Sequence, residues 1–521
     1  MGDFLKLEGM GASGDAWSGS CKQTGLEGVV PSGAVVVPSV RFFTPENMLR
    51  FTHDRLSGPV RSGLPSRRDF LRVGGLGGLG LGGLGLSDLL GLKALAKGEH
   101  ELVKDRSVIF LFMHGGPSQF ETFDPKMGGP SEYRSVTGEI RTRTPGVTFG
   151  STFEGLAKLS DKFSVVRSFV PGDANHDIKS IVGKHSLNAN IGSLYSRIAG
   201  AQDRTTGMPT NVALFPRAVA TESMPPFLKF GDFTSAGELG PAFRPFVPGT
   251  GGNAQEDMAL SLPVDRLNDR RHLLTVLDGW KRGMDYGAAV EGLSGLQERA
   301  FDVLRNGVSD AFDLSKEDSR LVERYDTAGL LPRSKISTQW KNIDHYADNA
   351  LSLGRLLLLA RRLCERGAGF VTVTTSFVWD MHADVNNAPM TTGMEYVGRP
   401  FDRAVSAFIE DVEARGLRDK ILLVCCGEMG RTPRINAKGG RDHWGNLGPL
   451  MVYGGGLQMG QVIGRSSKDG GEPADNPVTI PDLIATILHS LVDVGQARLV
   501  DGLPPNLLNL LSRGTPIRGL V

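Results

Sequence analysis

The chain has 521 residues, of which 40% are hydrophobic, enough to build one large core. Its 58 Lys and Arg residues balance 57 Asp and Glu residues, so no basic surplus exists to hold a nucleic-acid backbone or an anionic bilayer. Two of the four cysteines, Cys425 and Cys426, are adjacent within an apolar run. The composition therefore argues against a nucleic-acid partner and against a disulfide framework.

An export signal is predicted at residues 66–96. The pair Arg67-Arg68 precedes a mildly apolar Gly/Leu-rich stretch at 73–92 and an Ala-x-Ala cleavage site that ends at Ala96. This order is typical of a twin-arginine signal peptide, which predicts the twin-arginine translocase as a partner and a periplasmic or extracytoplasmic location. No stable membrane span is expected in the mature chain. The alternative is a Gly-rich linker behind a chance arginine pair.

The segment before the signal, residues 1–65, is rich in Gly, Ser and Pro and is predicted to be a disordered extension. Signals of this kind begin close to the initiator methionine. Met48 is therefore the alternative start, in which case residues 1–47 are not translated.

The mature chain, residues 97–521, alternates apolar runs with helical patterns. The predicted strand 107–113 ends in a His-Gly-Gly-Pro-Ser loop, and the predicted strand 163–169 runs into the polar loop 172–177. Residues 201–335 are predicted to be an insertion of loops and helices. The later predicted elements are helix 349–366, strand 369–375, helix 401–415, strand 420–426, strand 449–453 and helix 480–491. This alternation predicts an α/β fold with a mostly parallel sheet.

A metal site is indicated by acids and histidines at the ends of these strands. Asp380 and His382 are two residues apart just beyond a strand, where an extended segment points both side chains the same way. They could share a divalent metal, or they could be a hydrogen-bonding pair. Because His382, Glu428 and His443 each follow or precede a predicted strand, the topology of the sheet can bring them to one edge.

Other loop residues are candidates for a second metal and for the nucleophile. The candidate ligands are His114, Glu121, Asp124, His176 and Asp177, and the candidate hydroxyl is Ser180. The alternative for the two histidines is a hydrogen bond to backbone. A structural role is the favoured alternative for the serine.

The order Asp-x-His, helix, strand, acidic loop, His, strand is similar to the C-terminal half of the alkaline phosphatase and sulfatase superfamily. The resemblance implies an alkaline phosphatase-like sheet with helices on both faces and Asp380, His382 and His443 as ligands of one metal. Glu428 takes the place of the Asp that opens the superfamily's Asp-His pair, and Met429 stands where its His would be.

Four ordered motifs resemble more closely an exported sulfatase-like family known as domain of unknown function 1501. They are Gly-Gly-Pro-Ser with Thr122–Lys126, Trp379-Asp380-x-His382, Glu428-x-Gly-Arg-Thr-Pro433 and Gly440-Arg-Asp-His-Trp444. Its members typically carry twin-arginine signals. The family often has His and Asp where this chain has Gln119 and Glu121, which puts ligands at those two positions in doubt.

The resemblance implies a metal-dependent hydrolase of phosphate or sulfate esters. The expected cofactor is zinc, calcium or manganese, and the expected substrate is a small or carbohydrate-linked anionic ester. Arg431 and Arg441 could grip an anionic oxygen of the substrate, or they could pair with carboxylates such as Asp442. The formylglycine motif Cys-x-Pro-x-Arg of true sulfatases is absent from the sequence.

Two other classes of function are weighed against the hydrolase. A non-catalytic binding or scaffold protein could keep the same fold, and Met429 and the missing sulfatase nucleophile favour it. A cofactor-dependent oxidoreductase is disfavoured, because no Gly-x-Gly-x-x-Gly follows the first mature strand.

Overall fold

A computed structural model describes residues 102–203, 205–249 and 308–521. The predicted extension and signal peptide, residues 1–96, lie outside the described residues. No helix among the described residues combines the length and the apolar character that a membrane crossing requires.

The described chain alternates strands and helices. The strands are β1 (Ser107–Phe112), β2 (Glu139–Arg141), β3 (Thr148–Gly150), β4 (Phe163–Val170), β5 (Asn211–Leu214), β6 (Phe370–Thr374), β7 (Ile421–Cys426), β8 (Gly430–Arg431), β9 (His443–Trp444), β10 (Gly448–Gly454), β11 (Val462–Ile463), β12 (Arg465–Ser466), β13 (Pro473–Asp475) and β14 (Val478–Thr479). The α-helices are α1 (Glu154–Lys158), α2 (Ile191–Ala199), α3 (Ser309–Phe312), α4 (Ser319–Tyr325), α5 (Ile343–Glu365), α6 (Met390–Ala414), α7 (Ile480–Leu491), α8 (Val494–Ala497) and α9 (Pro505–Arg513).

An eight-stranded sheet forms the centre of the described chain, in the order β11-β4-β10-β7-β1-β6-β5, with β14 also paired to β4. Strand β1 pairs in parallel with β6 and β7, β5 pairs in parallel with β6, and β11 and β14 pair in parallel with β4. Only β10 is antiparallel to its neighbours in this sheet, β4 and β7. The predicted mostly parallel sheet is confirmed.

Helices cover both faces of the sheet, and each face has its own core. Along β1, Ile109 and Leu111 pack into a core with α5 and α6, whereas Phe110 and Phe112 pack into a second core with α2, α7 and α9. This alternation follows from the two-residue period of a strand. Because both faces are covered, a central strand such as β7 is apolar and buried at every position.

Two predicted regions differ from the structure. The helix predicted to begin at residue 401 begins at Met390 and continues through Pro400, because its first turns bury Met394 and Val397 in the core. That burial offsets the backbone hydrogen bond that a proline inside a helix removes. The range 201–335, predicted as an insertion, contributes β5 to the edge of the main sheet.

Candidate metal centre

Four side chains converge at one edge of the sheet: His176, Asp380, His382 and His443. One donor atom from each lies within 4.8 Å of all the others. The Oδ1 atom of Asp380 is 2.8 Å from Nε2 of His382, 3.3 Å from Nε2 of His443 and 3.4 Å from Nε2 of His176. The Nε2 atoms of His382 and His443 are 2.7 Å apart. This group is called the His/Asp cluster below.

The topology of the sheet explains why distant residues meet. His176 follows β4, and Asp380 and His382 follow β6, so all three lie beyond the carboxyl ends of strands that run in the same direction. His443 precedes β10, which runs in the opposite direction. The start of an antiparallel strand lies at the same edge as the carboxyl ends of its neighbours, so His443 joins the others there.

Arg431 holds the carboxylate of the cluster in place. Its strand β8 pairs with β9, which sets Arg431 opposite His443. The guanidinium is fully buried and donates to Oδ1 of Asp380 at 2.7 Å and to the carbonyl oxygen of Gly116 at 2.7 Å. A second donor, Nδ2 of Asn387, reaches Oδ2 of Asp380 at 3.2 Å. Asp380 is therefore fixed from both of its oxygens.

The surroundings of the cluster favour an ionised carboxylate. Burial alone would raise the pKa of Asp380, but the charge of Arg431 and hydrogen bonds with the three histidines hold that pKa well below its ordinary value. Burial lowers the pKa of His443, and the charge of Arg431 lowers it further against the opposing effect of Asp380. For His176, burial is outweighed by contacts with Asp380 and Glu428, which raise its pKa.

Two carboxylates lie behind the histidine rings. Oε1 of Glu428 is 3.0 Å from Nδ1 of His176, and Oδ1 of Asp442 is 3.3 Å from Nδ1 of His382. Glu428 also accepts from the backbone N–H of Gly115 at 3.0 Å. With a metal ion bound, a carboxylate at Nδ1 would hold the proton on that atom and leave the Nε2 lone pair for the ion, as in the outer shell of metal sites. Glu428, predicted as a ligand, lies outside the group of four.

Asp124 and Ser180 also lie outside the cluster. The carboxylate of Asp124 accepts from the hydroxyl of Ser466 and forms ion pairs with Lys126 at 3.2 Å and Arg167 at 3.5 Å. The hydroxyl of Ser180 is fully buried and donates to the carbonyl oxygen of Gly427 at 2.8 Å. Both side chains are thus engaged by the protein itself.

Arg441, like Arg431, is fully buried. Its Nη2 atom is 3.0 Å from Oε1 of Glu121, and its guanidinium carbon lies 4.2 Å from the ring centroid of Phe120. The sequence left open whether the two arginines bind substrate or pair with carboxylates. The structure pairs Arg431 with Asp380 and Arg441 with Glu121, and neither side chain is exposed.

His114 lies next to the cluster but is enclosed by aromatic rings. It is 1% exposed, its ring meets those of Phe227, Phe233 and Phe377 edge to face, and neither ring nitrogen has a hydrogen-bond partner among the described residues. Burial lowers the pKa of His114 to about 4. At neutral pH this imidazole is therefore uncharged.

A groove that the sequence did not predict opens beside His382. It has a volume of about 470 Å³ and is lined by residues 382–384, residues 436–438 and Asp442. Lys438 makes no ion pair with the described residues. Asn436 fixes the wall formed by residues 436–438, because its side chain donates to the carbonyl oxygen of His382 and accepts from the N–H of Gly440. The only sign of this groove in the sequence is the Gly439-Gly440 pair, because without a side chain at Gly440 the backbone can pass close to that of His382.

The chain is similar to several solved structures at low sequence identity. The PsFucS1 sulfatase from Pseudoalteromonas sp. is 14% identical with a TM-score of 0.30, over 82% of this chain and 76% of that chain. Ps i-CgsB in complex with k-i-k-neocarrahexaose is 10% identical with a TM-score of 0.32, over 75% of this chain and 74% of that chain. The phosphonate monoester hydrolase SpPMH from Silicibacter pomeroyi is 11% identical with a TM-score of 0.31, over 74% and 73%.

No curated protein matches the sequence significantly. One family model does match it, over residues 105–504, and its description is "Protein of unknown function (DUF1501)". The match covers most of the chain and includes every residue of the His/Asp cluster. The predicted membership is confirmed: the chain belongs to the DUF1501 family.

Proposed function

We propose that this protein is a metal-dependent hydrolase of phosphate or sulfate esters. The proposal depends on one observation, the convergence of three imidazole nitrogens and one carboxylate oxygen within 4.8 Å. Lone pairs that face a common centre, beside an ionised carboxylate, are the donor set that ligation of a divalent cation requires. The residues present therefore fit a metal ion.

The donor set favours zinc among the three candidate metals. Three of the four donors are imidazole nitrogens, which suit zinc, whereas calcium prefers six to eight oxygen ligands. Manganese also prefers oxygen-rich sites. Glu428 and Asp442 add to this preference, because carboxylates behind the rings make the facing nitrogens better donors.

The groove beside His382 suits an anionic ester. The side chains of His382 and His443 are 21% and 29% exposed, so a substrate can approach the cluster from that side. The ammonium of Lys438 on the groove wall, which forms no ion pair with the described residues, can attract a phosphate or sulfate group. A bound divalent ion would supply Lewis-acid polarisation of the ester and offset the negative charge that spreads over its oxygens.

The decisive experiment is metal analysis of the purified mature chain, followed by assays with aryl phosphate and aryl sulfate esters. We expect close to one zinc per chain and turnover of at least one ester class. Both should be lost in His382→Ala and His443→Ala. Turnover that persists in both variants, or after complete removal of metal, would exclude the proposal.

Export in the folded state is part of the proposal. The Arg67-Arg68 pair, the mildly apolar stretch and the Ala-x-Ala site support a twin-arginine signal, and folded export would allow metal loading in the cytoplasm. Replacing Arg67→Lys and Arg68→Lys together should leave the full chain in the cytoplasm of its host. Unchanged export of this double variant would contradict the twin-arginine route.

A non-catalytic metal-binding protein is the second candidate. Four protein donors suffice to complete a tetrahedral site, which is the pattern of structural zinc, and the hydroxyl of Ser180 is committed to a backbone carbonyl. Stoichiometric zinc without turnover of either ester class would favour this function over the hydrolase.

A further inference from the structure

The ammonium of Lys179 is enclosed by oxygens from the loop that precedes it. Its Nζ atom lies 2.8 Å from Oδ1 of Asp173, 2.7 Å from Oδ1 of Asp177 and 3.2 Å from the carbonyl oxygen of Asn175. The Lys179 side chain is only 11% exposed, although those of Asp173 and Asp177 are 48% and 43% exposed. A lysine side chain with so little exposure is seldom found unless it is paired with acidic groups. Here the ammonium is the positive charge that neutralises the two aspartates of its own loop.

The same loop carries His176. The oxygens of residues 173, 175 and 177 face the ammonium, whereas the ring of His176, between them in sequence, faces Asp380 and Glu428 at 3.4 Å and 3.0 Å. The loop thus has one side closed around Lys179 and the other side directed at the His/Asp cluster. Any change in the path of residues 173–177 moves the imidazole of His176.

The loop is also seated against the segment that carries His443. The N–H of Gly172 donates to the carbonyl oxygen of Gly445 at 2.9 Å, and a Cβ atom on Gly445 would lie 2.4 Å from the carbonyl carbon of Asp173. The rings of His176 and His443 have centroids 4.1 Å apart. Because these two segments are in direct contact, a shift of the loop around Lys179 would displace both His176 and His443.

We propose that Lys179 is a positioning residue, whose ammonium draws Asp173 and Asp177 together and so fixes His176 as a ligand of the metal. Without that charge, two carboxylates would face each other across the loop and repel. The inference depends on the proposed function only in requiring that the His/Asp cluster binds a metal. It does not depend on which ester is hydrolysed.

The test is the zinc affinity of Lys179→Met, measured by competition with a chelator of known affinity. Methionine keeps the apolar stem and removes the charge. We expect zinc affinity to fall about 10- to 100-fold, the range typical of groups that orient metal ligands. Lys162→Met is the matched control, because Lys162 pairs with Glu413 at 3.2 Å and contacts neither the loop nor the cluster. Its zinc affinity should equal that of the wild type.

Chemical rescue separates positioning from a general structural role. In Lys179→Ala, added n-propylammonium replaces the missing atoms and should restore zinc affinity, whereas it should have no effect on the wild type. Asp173→Asn in the Lys179→Met background should also recover affinity, because one of the repelling charges is removed. Should Lys179→Met fail to fold, Asp177→Asn carries the test, because it keeps the ammonium but removes one of the two charges that the ammonium draws together, and zinc affinity should again fall.

The outcomes distinguish the two proposals. If the wild type binds zinc and the folded Lys179 variants bind it equally well, the positioning role is overturned and the proposed function stands. Loss of affinity without rescue by either route would also overturn the positioning role. A wild type that binds no zinc would overturn the proposed function and this inference with it.

Discussion

Two groups of buried charge in this protein are completed in different ways. Between α5 and α6, Arg361 is 1% exposed and lies 2.5 Å from Glu365, 3.0 Å from Asp411 and 3.1 Å from Glu317. Arg362 and Arg415 join the same carboxylates. The three cations and three anions therefore balance each other in charge, so no further ion is needed to neutralise this network, although Nε and Nη2 of Arg361 lack hydrogen-bond partners among the described residues.

The His/Asp cluster is different because every group that faces its centre can donate an electron pair to a cation. Arg431 already neutralises Asp380, yet three imidazole nitrogens still point at the same centre, two of them 2.7 Å apart. Such an arrangement is favourable around a cation or a shared proton. The comparison teaches that burial and charge alone do not mark a functional site; the informative feature is what the facing atoms leave unsatisfied.

The largest expected effect breaks the self-sufficient network. Asp411→Asn should lower the free energy of unfolding by about 3–5 kcal/mol, because it removes a buried partner of Arg361 and leaves charge uncompensated. Urea denaturation measures this loss. Zinc content per folded chain should not change, because Asp411 contacts no residue of the cluster.

An exposed ion pair provides the control. Arg333 and Asp344 are 2.5 Å apart but 60% and 55% exposed, so Asp344→Asn should cost no more than about 1 kcal/mol. Equal losses for the two aspartate variants would show that burial does not set the strength of the network.

His114 is a third case, a buried polar group whose ring nitrogens have no hydrogen-bond partner among the described residues. The unfolded chain protonates it near its ordinary pKa of 6.5, whereas the folded chain does so only at about 4. Stability is therefore complete above pH 6.5, falls as the pH drops from 6.5 towards 4, and levels off below 4, with a total loss of up to about 3 kcal/mol. Urea denaturation at several pH values should show a steeper loss of stability between pH 6.5 and 4 in the wild type than in His114→Phe. The same slope in both proteins would place the acid sensitivity elsewhere.

Much of the fold was predictable because each buried strand can be recognised from the composition of its own short stretch of sequence. The apolar runs of β1 and β7 are long and continuous, and a strand buried on both faces must have that composition. The start of α6 was not predictable, since Pro400 normally marks a helix boundary and only tertiary burial shows that the helix continues through it.

The site was predictable where the spacing is short. Asp380 and His382 are two residues apart, so a strand end suffices to place both at the cluster. Whether Glu428 belongs to the cluster or lies behind the ring of His176 depends on a contact between residues 252 positions apart. No pattern in the sequence encodes that distance. The same holds for the partners of the two buried arginines.

The next prediction removes a donor from the cluster. His443→Ala should weaken zinc binding by at least about 100-fold, more than the usual effect of an orienting group. The free energy of unfolding of the metal-free protein should change little, because the ring is 29% exposed and mutual repulsion among the donors is relieved. Chelator competition and urea denaturation of the metal-free variant measure the two quantities. A variant that keeps its zinc but loses stability would make His443 part of a structural network like that around Arg361.

The smallest effects come from the carboxylates behind the rings, and their difference sharpens the comparison. Glu428 is fully buried and Asp442 is 60% exposed, although each contacts the Nδ1 atom of one histidine. Glu428→Gln should lower zinc affinity about 10-fold, because in a dry site nothing else can hold the proton on Nδ1 of His176. Asp442→Asn should lower it only about two- to threefold, because water can replace an exposed carboxylate. Equal losses in chelator competition would mean that burial does not control how these groups tune the donors, and high salt should reduce only the effect of Asp442.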